Sequence, residues 1–424
     1  MRALLLASLV LAKDGAVSDA PSRAVQYTEA RRTFARALGS GALDEAREAF
    51  RVRRAAAPGR SDLGVDLARL EARAGHVDAA FAALEPVAAT GLGFDLSTDD
   101  LLAPLRGDPR WAPLLSRFAA ARAPVASGGA ETAVPPELGL VEDLAVDPRS
   151  EAVFVSSVRT GEVWRRDGGK WRRWAHPAAP GSGAFALGVD SVRGVLHVSV
   201  AAVPQAEGFR KDDEGRSALV TLRLQDGREL ARHLPPGPGP HLLGDLTLTA
   251  DGTVLVSDAV AGTVYRLVAG GKALEPLVPD RTFANPQTPA LSPGNRLLYV
   301  PDWTLGLFVL PLGGGVPEPV LGPEDLVSGG IDGLALVPGG LIAVQNGIVA
   351  SRLVRLWLSP DGRRVTRWAV LARGPELGDP THVVPTKGGA LALIGSGWDR
   401  FEDEGGLSPG APPATPRLLQ LDLH

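Results

Sequence analysis

Two hydrophobic periods divide the chain. Over residues 23–122 apolar positions recur at helical spacing: Phe34, Ala37 and Leu38, then Leu43, Ala46, Ala49 and Phe50. From residue 138 onward apolar and polar residues alternate, and Gly, Asp and Pro turns interrupt them, which is the strand period. Between the two lies APVASGGAETAVPP (123–136), linker-like in composition. The switch predicts a helical domain over 23–122, a linker over 123–136 and a β domain over 137–424.

Both halves repeat. GALDEAREAF (41–50) aligns with GHVDAAFAAL (75–84) at an offset of 34 residues, placing Asp44 on Asp78, Ala46 on Ala80 and Phe50 on Leu84. The small alanines let helices approach, and the larger side chains fill the gap. The period and these residues resemble a tetratricopeptide pair, which LLAPLRGDPRWAPLLSRF (101–118) would cap. Such a unit recruits a protein partner or packs on its neighbouring domain, and the residues leave both open. In the β half, LVEDLAVDPRSEAVFVSSVRTGEVWR returns as HLLGDLTLTADGTVLVSDAVAGTVYRL (241–267). Four further copies follow the same scheme, starting at 185, 285, 330 and 380. Six strand-turn-strand units of roughly 43–57 residues predict a six-bladed β-propeller, mainly β with an α N-terminal domain. The last unit shows strands only near 382–384, 390–394 and 417–423, so a linker strand around 130–134 is expected to close the ring, with 401–416 as a surface loop.

Composition narrows the function. A length of 424 residues suits two domains. The net charge is −4 and no long basic run occurs, which argues against nucleic acid as a partner. Cysteine is absent, so thiol nucleophiles, disulfides and cysteine zinc sites are excluded. MRALLLASLVLAKDG has one arginine, an apolar run over 3–12 and a V-x-A site, like a short secretory signal over residues 1–12. Export to the periplasm or medium is therefore expected. No later segment is apolar enough for a membrane span.

The chemistry concentrates where each inner strand begins. In a propeller these positions converge on the central channel, and they align as Glu142, Leu187, Gly244, Gln287, Asp332 and Thr381. Glu142, Gln287 and Asp332 offer oxygen to a hard cation such as calcium. Asp143 and Asp245 stand one residue further on as possible channel-mouth neighbours, and strict alternation would turn Asp245 away. His241 and His382 are further channel-mouth candidates. VEDLAVDP and GIDGLALVPGG resemble the metal-binding strands of the SMP-30/gluconolactonase and paraoxonase-like propellers. The resemblance implies a calcium-dependent lactonase or esterase, with Glu142, Gln287 and Asp332 as metal ligands and Asp332 also as the base. It also implies a small lactone or ester as substrate, with the cation polarising its carbonyl.

Departures from that pattern keep a second reading open. Gly244 stands where an asparagine ligand belongs, and Leu187 and Val203 stand where paraoxonase-like enzymes carry a histidine pair. Glu142 and Asp332 would then be solvated caps of turns, and the propeller a non-catalytic scaffold or ligand-binding platform, with the helical repeats recruiting the partner. Trp398, in GSGWDRF, walls a pocket or packs beneath 401–416. VWRRDGGKWRRW (163–174) reads as an outer hairpin with solvated arginines.

Overall fold

The computed structural model describes residues 21–402 and 404–423, so the signal-like segment at 1–12 lies outside the described residues. Among the described residues, no helix is long and apolar enough to cross a membrane.

Among the described residues, five α-helices form the N-terminal unit: α1 (Arg23–Ser40), α2 (Leu43–Ala56), α3 (Gly64–Arg73), α4 (Val77–Ala89) and α5 (Trp111–Ala120). The α1–α2 hairpin turns at Gly41, whose left-handed φ of 79° lets its N–H reach the last carbonyls of α1. Ala46 and Ala80 are fully buried, and Phe34 lies 6.2 Å from Phe50 across the first hairpin. The second core joins Leu84 and Ala80 to Leu102, Leu105, Leu114 and Phe118, so 101–118 does cap the stack.

The remainder is a ring of six four-stranded antiparallel sheets. Blade 1 runs Val141–Val146, Val153–Ser157, Val163–Asp167 and Lys170–Ala175. Blade 2 runs Ser182–Asp190, Val195–Ala202, Ser217–Arg223 and Glu229–His233, and blade 3 runs Leu243–Leu248, Val254–Asp258, Thr263–Leu267 and Glu275–Pro276. Blade 4 runs Ala290–Leu291, Leu297–Asp302, Gly306–Pro311 and Glu318–Pro319. Blade 5 runs Ile331–Val337, Gly340–Gln345, Arg352–Leu358 and Val365–Arg373. Blade 6 takes Val383–Thr386, Gly389–Ile394 and Arg417–Leu421 from the C-terminal end, and its outer strand is Glu131–Ala133. Pairing of Glu131 with Leu419 and Ala133 with Arg417 fastens the linker into the ring.

The helical unit sits on the loops of blades 3 to 5. Ala24, Tyr27, Ala57 and Leu63 share a core with Val264, Phe283, Leu305 and Phe308. Polar contacts surround that core: the Arg60 guanidinium donates to the Thr304 carbonyl, Ser328 N–H to the Gly59 carbonyl at 3.1 Å, and Gly93 N–H to the Val349 carbonyl. These loops carry the rim of the central channel, so the helices become part of its mouth.

Candidate functional site

The inner strands of blades 1, 2, 3 and 5 each break register near their first residues. The shifts fall between Val141 and Leu144, Ala184 and Leu187, Leu243 and Leu246, and Ile331 and Leu334. A bulge opposes two residues to one and so suspends alternation. Asp143 and Asp245 therefore turn inward beside Glu142 and Gly244, contrary to the orientation expected of an unbroken strand. The same shifts correct the blade 2 register: Phe185, not Leu187, occupies the position equivalent to Glu142. Leu187 instead packs in the core between blades 1 and 2.

A serine on the second strand clamps each of three bulges. Ser156 Oγ accepts the Asp143 N–H at 3.1 Å, Ser199 Oγ the Ala186 N–H at 2.9 Å, and Ser257 Oγ the Asp245 N–H at 3.2 Å. The first two hydroxyls also donate onward, to the carbonyls of Phe185 and Gly244 in the next blade. The bulges of blades 2 and 3 are thus held both from their own sheet and from the preceding blade.

The channel mouth holds a cavity of about 440 Å³. Glu142, Asp245, Gln287 and Asp332 line it, with Phe185, Leu242, Trp398 and Phe401 as apolar walls. Trp398 donates its indole N–H to Glu142 Oε2, and Asn346 donates to Asp332 Oδ2. Asn346 is itself fixed by Trp303 Nε1 at 3.1 Å and by the Pro380 carbonyl at 2.8 Å. Gln287 holds its amide nitrogen on Asn285 Oδ1 at 2.9 Å, which orients its own carbonyl oxygen. Among the described residues, Arg31 of α1 is the lone Lys or Arg in the lining.

Beneath the cavity lies a buried chain of polar groups. His382 Nε2 is 3.0 Å from Asp143 Oδ1, its Nδ1 is 3.4 Å from Thr288 Oγ1, and that hydroxyl donates to Asp245 Oδ1 at 2.8 Å. Asp143, Asp245 and His382 bring their ligand atoms within 4.8 Å of one another. This group differs from the expected trio of Glu142, Gln287 and Asp332, and it needs both bulges. Burial raises the Asp143 carboxyl well above its ordinary range, the Asp245 charge adds to this, and the Leu187 and Leu144 N–H bonds oppose it. Burial, then the Asp332 charge, pushes Asp245 up to about 8. Burial alone holds His382 down to about 3. The Asp143–His382 contact therefore shares a single proton. Adjacent buried carboxylates without a compensating charge are costly, and a divalent cation relieves that cost. The donors are carboxylate and amide oxygens with one imidazole, which fits a hard cation.

His241 falls outside the cavity lining. Its Nδ1 pairs with Asp258 Oδ2 at 2.7 Å, and that bond, above all, raises its pKa. Asp258 is a turn-capping acid, accepting the N–H groups of Val260 at 3.0 Å and Ala261 at 2.9 Å. Asp302 does the same for Thr304 and Leu305, both at 2.9 Å. Glu142 and Asp332 differ from these two, since tryptophan and asparagine side chains hold them at the cavity wall. The pattern of the sequence passed over Thr288, because a neutral polar residue carries no signal of its own, whereas Gln345-Asn346-Gly347 reads as a turn or as an amide facing the channel, and Asn346 does line the cavity. The serines in FVSS, LHVSV and VLVSD recur at the same place in three units and mark the bulges.

No protein-family model and no curated protein matches the sequence. Solved structures resemble it in fold. Regucalcin, a calcium-binding protein from Agrobacterium tumefaciens, is 17% identical with a TM-score of 0.49, covering 69% of this chain and 94% of its own. A putative gluconolactonase is 16% identical with a TM-score of 0.46, covering 71% and 96%. Virginiamycin B lyase from Staphylococcus aureus is 13% identical with a TM-score of 0.43, covering 62% and 80%. Likeness at this level extends to the propeller fold and no further.

Proposed function

We propose that the chain is a calcium-dependent hydrolase of a small lactone or related ester, acting in the channel-mouth cavity. One observation carries the reading. Three carboxylates from three blades, Glu142, Asp245 and Asp332, converge on one apolar-walled cavity over the buried Asp143–His382 pair. Glu142, Gln287 and Asp332 would hold the ion from above, with Asp245 between them and the deeper cluster. When bound, the cation polarises the ester carbonyl and offsets charge on the developing oxyanion.

The side chains do the rest. Phe185, Leu242 and Trp398 provide a dry wall for the lactone ring. Trp398 fixes the Glu142 carboxylate through its N–H, and Asn346 fixes Asp332. Asp332, with one oxygen held by Asn346, takes a proton from the attacking water through the other. It returns that proton to the alkoxide when the ring C–O bond breaks, so water and lactone become one hydroxy acid. The helical unit closes one side of the mouth with Arg31, so its packing on the propeller contributes to the site.

A lactone and aryl-ester screen with calcium, with excess chelator, and on Asp332→Asn tests the reading. Turnover should require the ion and fall in the variant while the melting temperature is retained. Turnover indifferent to chelation would overturn the cation, and unchanged turnover in Asp332→Asn would overturn the base.

A further inference from the structure

Where the helical unit, the linker and blade 5 meet, two arginines face one small space with no acid between them. Arg352 is fully buried. Its Nε donates to Gln345 Oε1 at 2.8 Å and its Nη1 to the Thr90 carbonyl at 3.1 Å. The guanidinium lies 4.8 Å from the Trp368 ring centroid. Its Nη2 is buried and has no hydrogen-bond partner. Arg373 is its cross-strand neighbour. Arg373 Nε is held by the Ala123 carbonyl of the linker at 3.0 Å. Neither arginine forms an ion pair with a carboxylate among the described residues. Asp325, the acid that acts on Arg352 from a distance, is occupied by the Trp368 indole N–H at 3.0 Å. Arg122 adds a further positive charge nearby, on the Gly93 carbonyl at 3.2 Å.

Gly91 shows that the space is real. A methyl group built there would lie 3.8 Å from Arg352 Nη1 and 3.9 Å from Arg373 Nη1, with no other neighbour inside 4 Å. The left-handed φ of +68° at Gly91 favours glycine and so leaves this space without a side chain. Gly91 and Arg373 are both partly exposed, so solvent ions reach the space. Burying a guanidinium without a counter-charge is strongly unfavourable. Burial, then the Arg373 charge, lowers the Arg352 pKa to about 10.

We propose that a small inorganic anion of chloride size binds beside Gly91 between Arg352 and Arg373 and joins the helical unit to blade 5. The anion supplies a negative charge in contact with both guanidinium groups, which no carboxylate among the described residues does. It touches Thr90–Gly91 of the helices, arginines of the propeller and, through Arg373, the linker. The site is independent of the channel chemistry.

The test is a melting series of the full chain in sodium chloride and sodium bromide against sodium methanesulfonate at equal ionic strength. Stability should climb with the logarithm of halide concentration beyond saturation and show no such climb in methanesulfonate. Arg373→Gln, which removes the solvent-side donor, should abolish the climb, and Arg373→Lys should keep part of it. Crystals in bromide should show anomalous density within about 3.5 Å of the two guanidinium groups, an ordinary halide contact slightly longer than an N–H···O bond. Equal melts in all salts, a halide response that survives Arg373→Gln, or bromide found only elsewhere would each overturn the proposal.

Discussion

The inner strands of blades 1 and 3 and that of blade 2 bulge at the same place, and the same serine hydroxyl clamps them. What they deliver to the channel differs. Blade 1 presents Glu142 and Asp143, and blade 3 presents Gly244 and Asp245, whereas blade 2 presents Phe185 and Ala186. The backbone device is common property of the ring, and the chemistry is a choice of side chain on it. Even the apolar blade serves the site: its bulge leaves the Leu187 N–H free of the ladder, and that group donates to Asp143 Oδ2 at 2.8 Å.

Removing the chemical side chains should sharpen this contrast most. Asp332→Asn should lower lactone turnover about 10²–10⁴-fold, the range for loss of a positioned acid–base group, and Glu142→Gln should lower it by weakening the hold on the ion. Phe185→Leu, at the matching position of blade 2, should change KM and leave kcat within a few-fold. A large kcat loss in Phe185→Leu would break the distinction between frame and chemistry.

The serine clamps probe the frame itself. Ser156→Ala, Ser199→Ala and Ser257→Ala each leave a buried N–H without its partner and should cost roughly 1–3 kcal/mol in denaturant unfolding. The cost should be similar in all three blades, because it belongs to the backbone. Activity should fall further in Ser156→Ala and Ser257→Ala, whose bulges carry Asp143 and Asp245. A free-energy loss confined to blades 1 and 3 would tie the clamp to charge instead.

A smaller effect follows from the raised carboxyls. Asp245 keeps its proton to about 8 in the folded chain, and the unfolded chain gives it up near 4. The folded state thus binds the extra proton, and this contribution to stability is lost as pH rises through the folded value. Asp143 and His241, whose pKa values are also raised, act in the same direction. The lowered His382 opposes this only while the unfolded imidazole keeps part of its proton, which is half at pH 6.5 and little by about pH 7.5. Cation-free protein should therefore melt at progressively lower temperature between pH 6.5 and 8, and saturating calcium should flatten the slope. A slope unchanged by calcium would separate the buried cluster from any ion.

The mildest change is Gly244→Asn. A Cβ there meets nothing closer than Leu242 Cδ2 at 3.8 Å and Ser257 Oγ at 3.9 Å. Folding should be altered by less than about 1 kcal/mol, as for an accommodated substitution, and calcium affinity should rise, read by calorimetry. Weaker binding would mean that the glycine reserves room for water or substrate.

The sequence displayed the ring well and the site unevenly. Alternating strands and recurrent turns carry six blades in plain view, because each blade repeats the same burial pattern. A bulge inserts one residue into a period of two, and that insertion is invisible without the partner strand. Asp245 therefore read as outward-facing, and Leu187 stood where Phe185 belongs. His382 lies in PTHVVP, the loosest of the six copies, and its meeting with Asp143 joins the last blade to the first. Such a contact depends on closure of the ring and has no local signature.

Closure also imposes an order on the chain's birth. The strand that completes blade 6, Glu131–Ala133, is made early, and the strand it pairs with, Arg417–Leu421, is made last. Throughout synthesis the growing arc of blades exposes an apolar sheet face at each end, and such a face invites association with other chains. The helical unit, complete before the first blade begins, gives the early strand a folded neighbour while it waits. A ribosome stalled before residue 417 would hold a propeller that cannot shut, with Asp143 and His382 still apart.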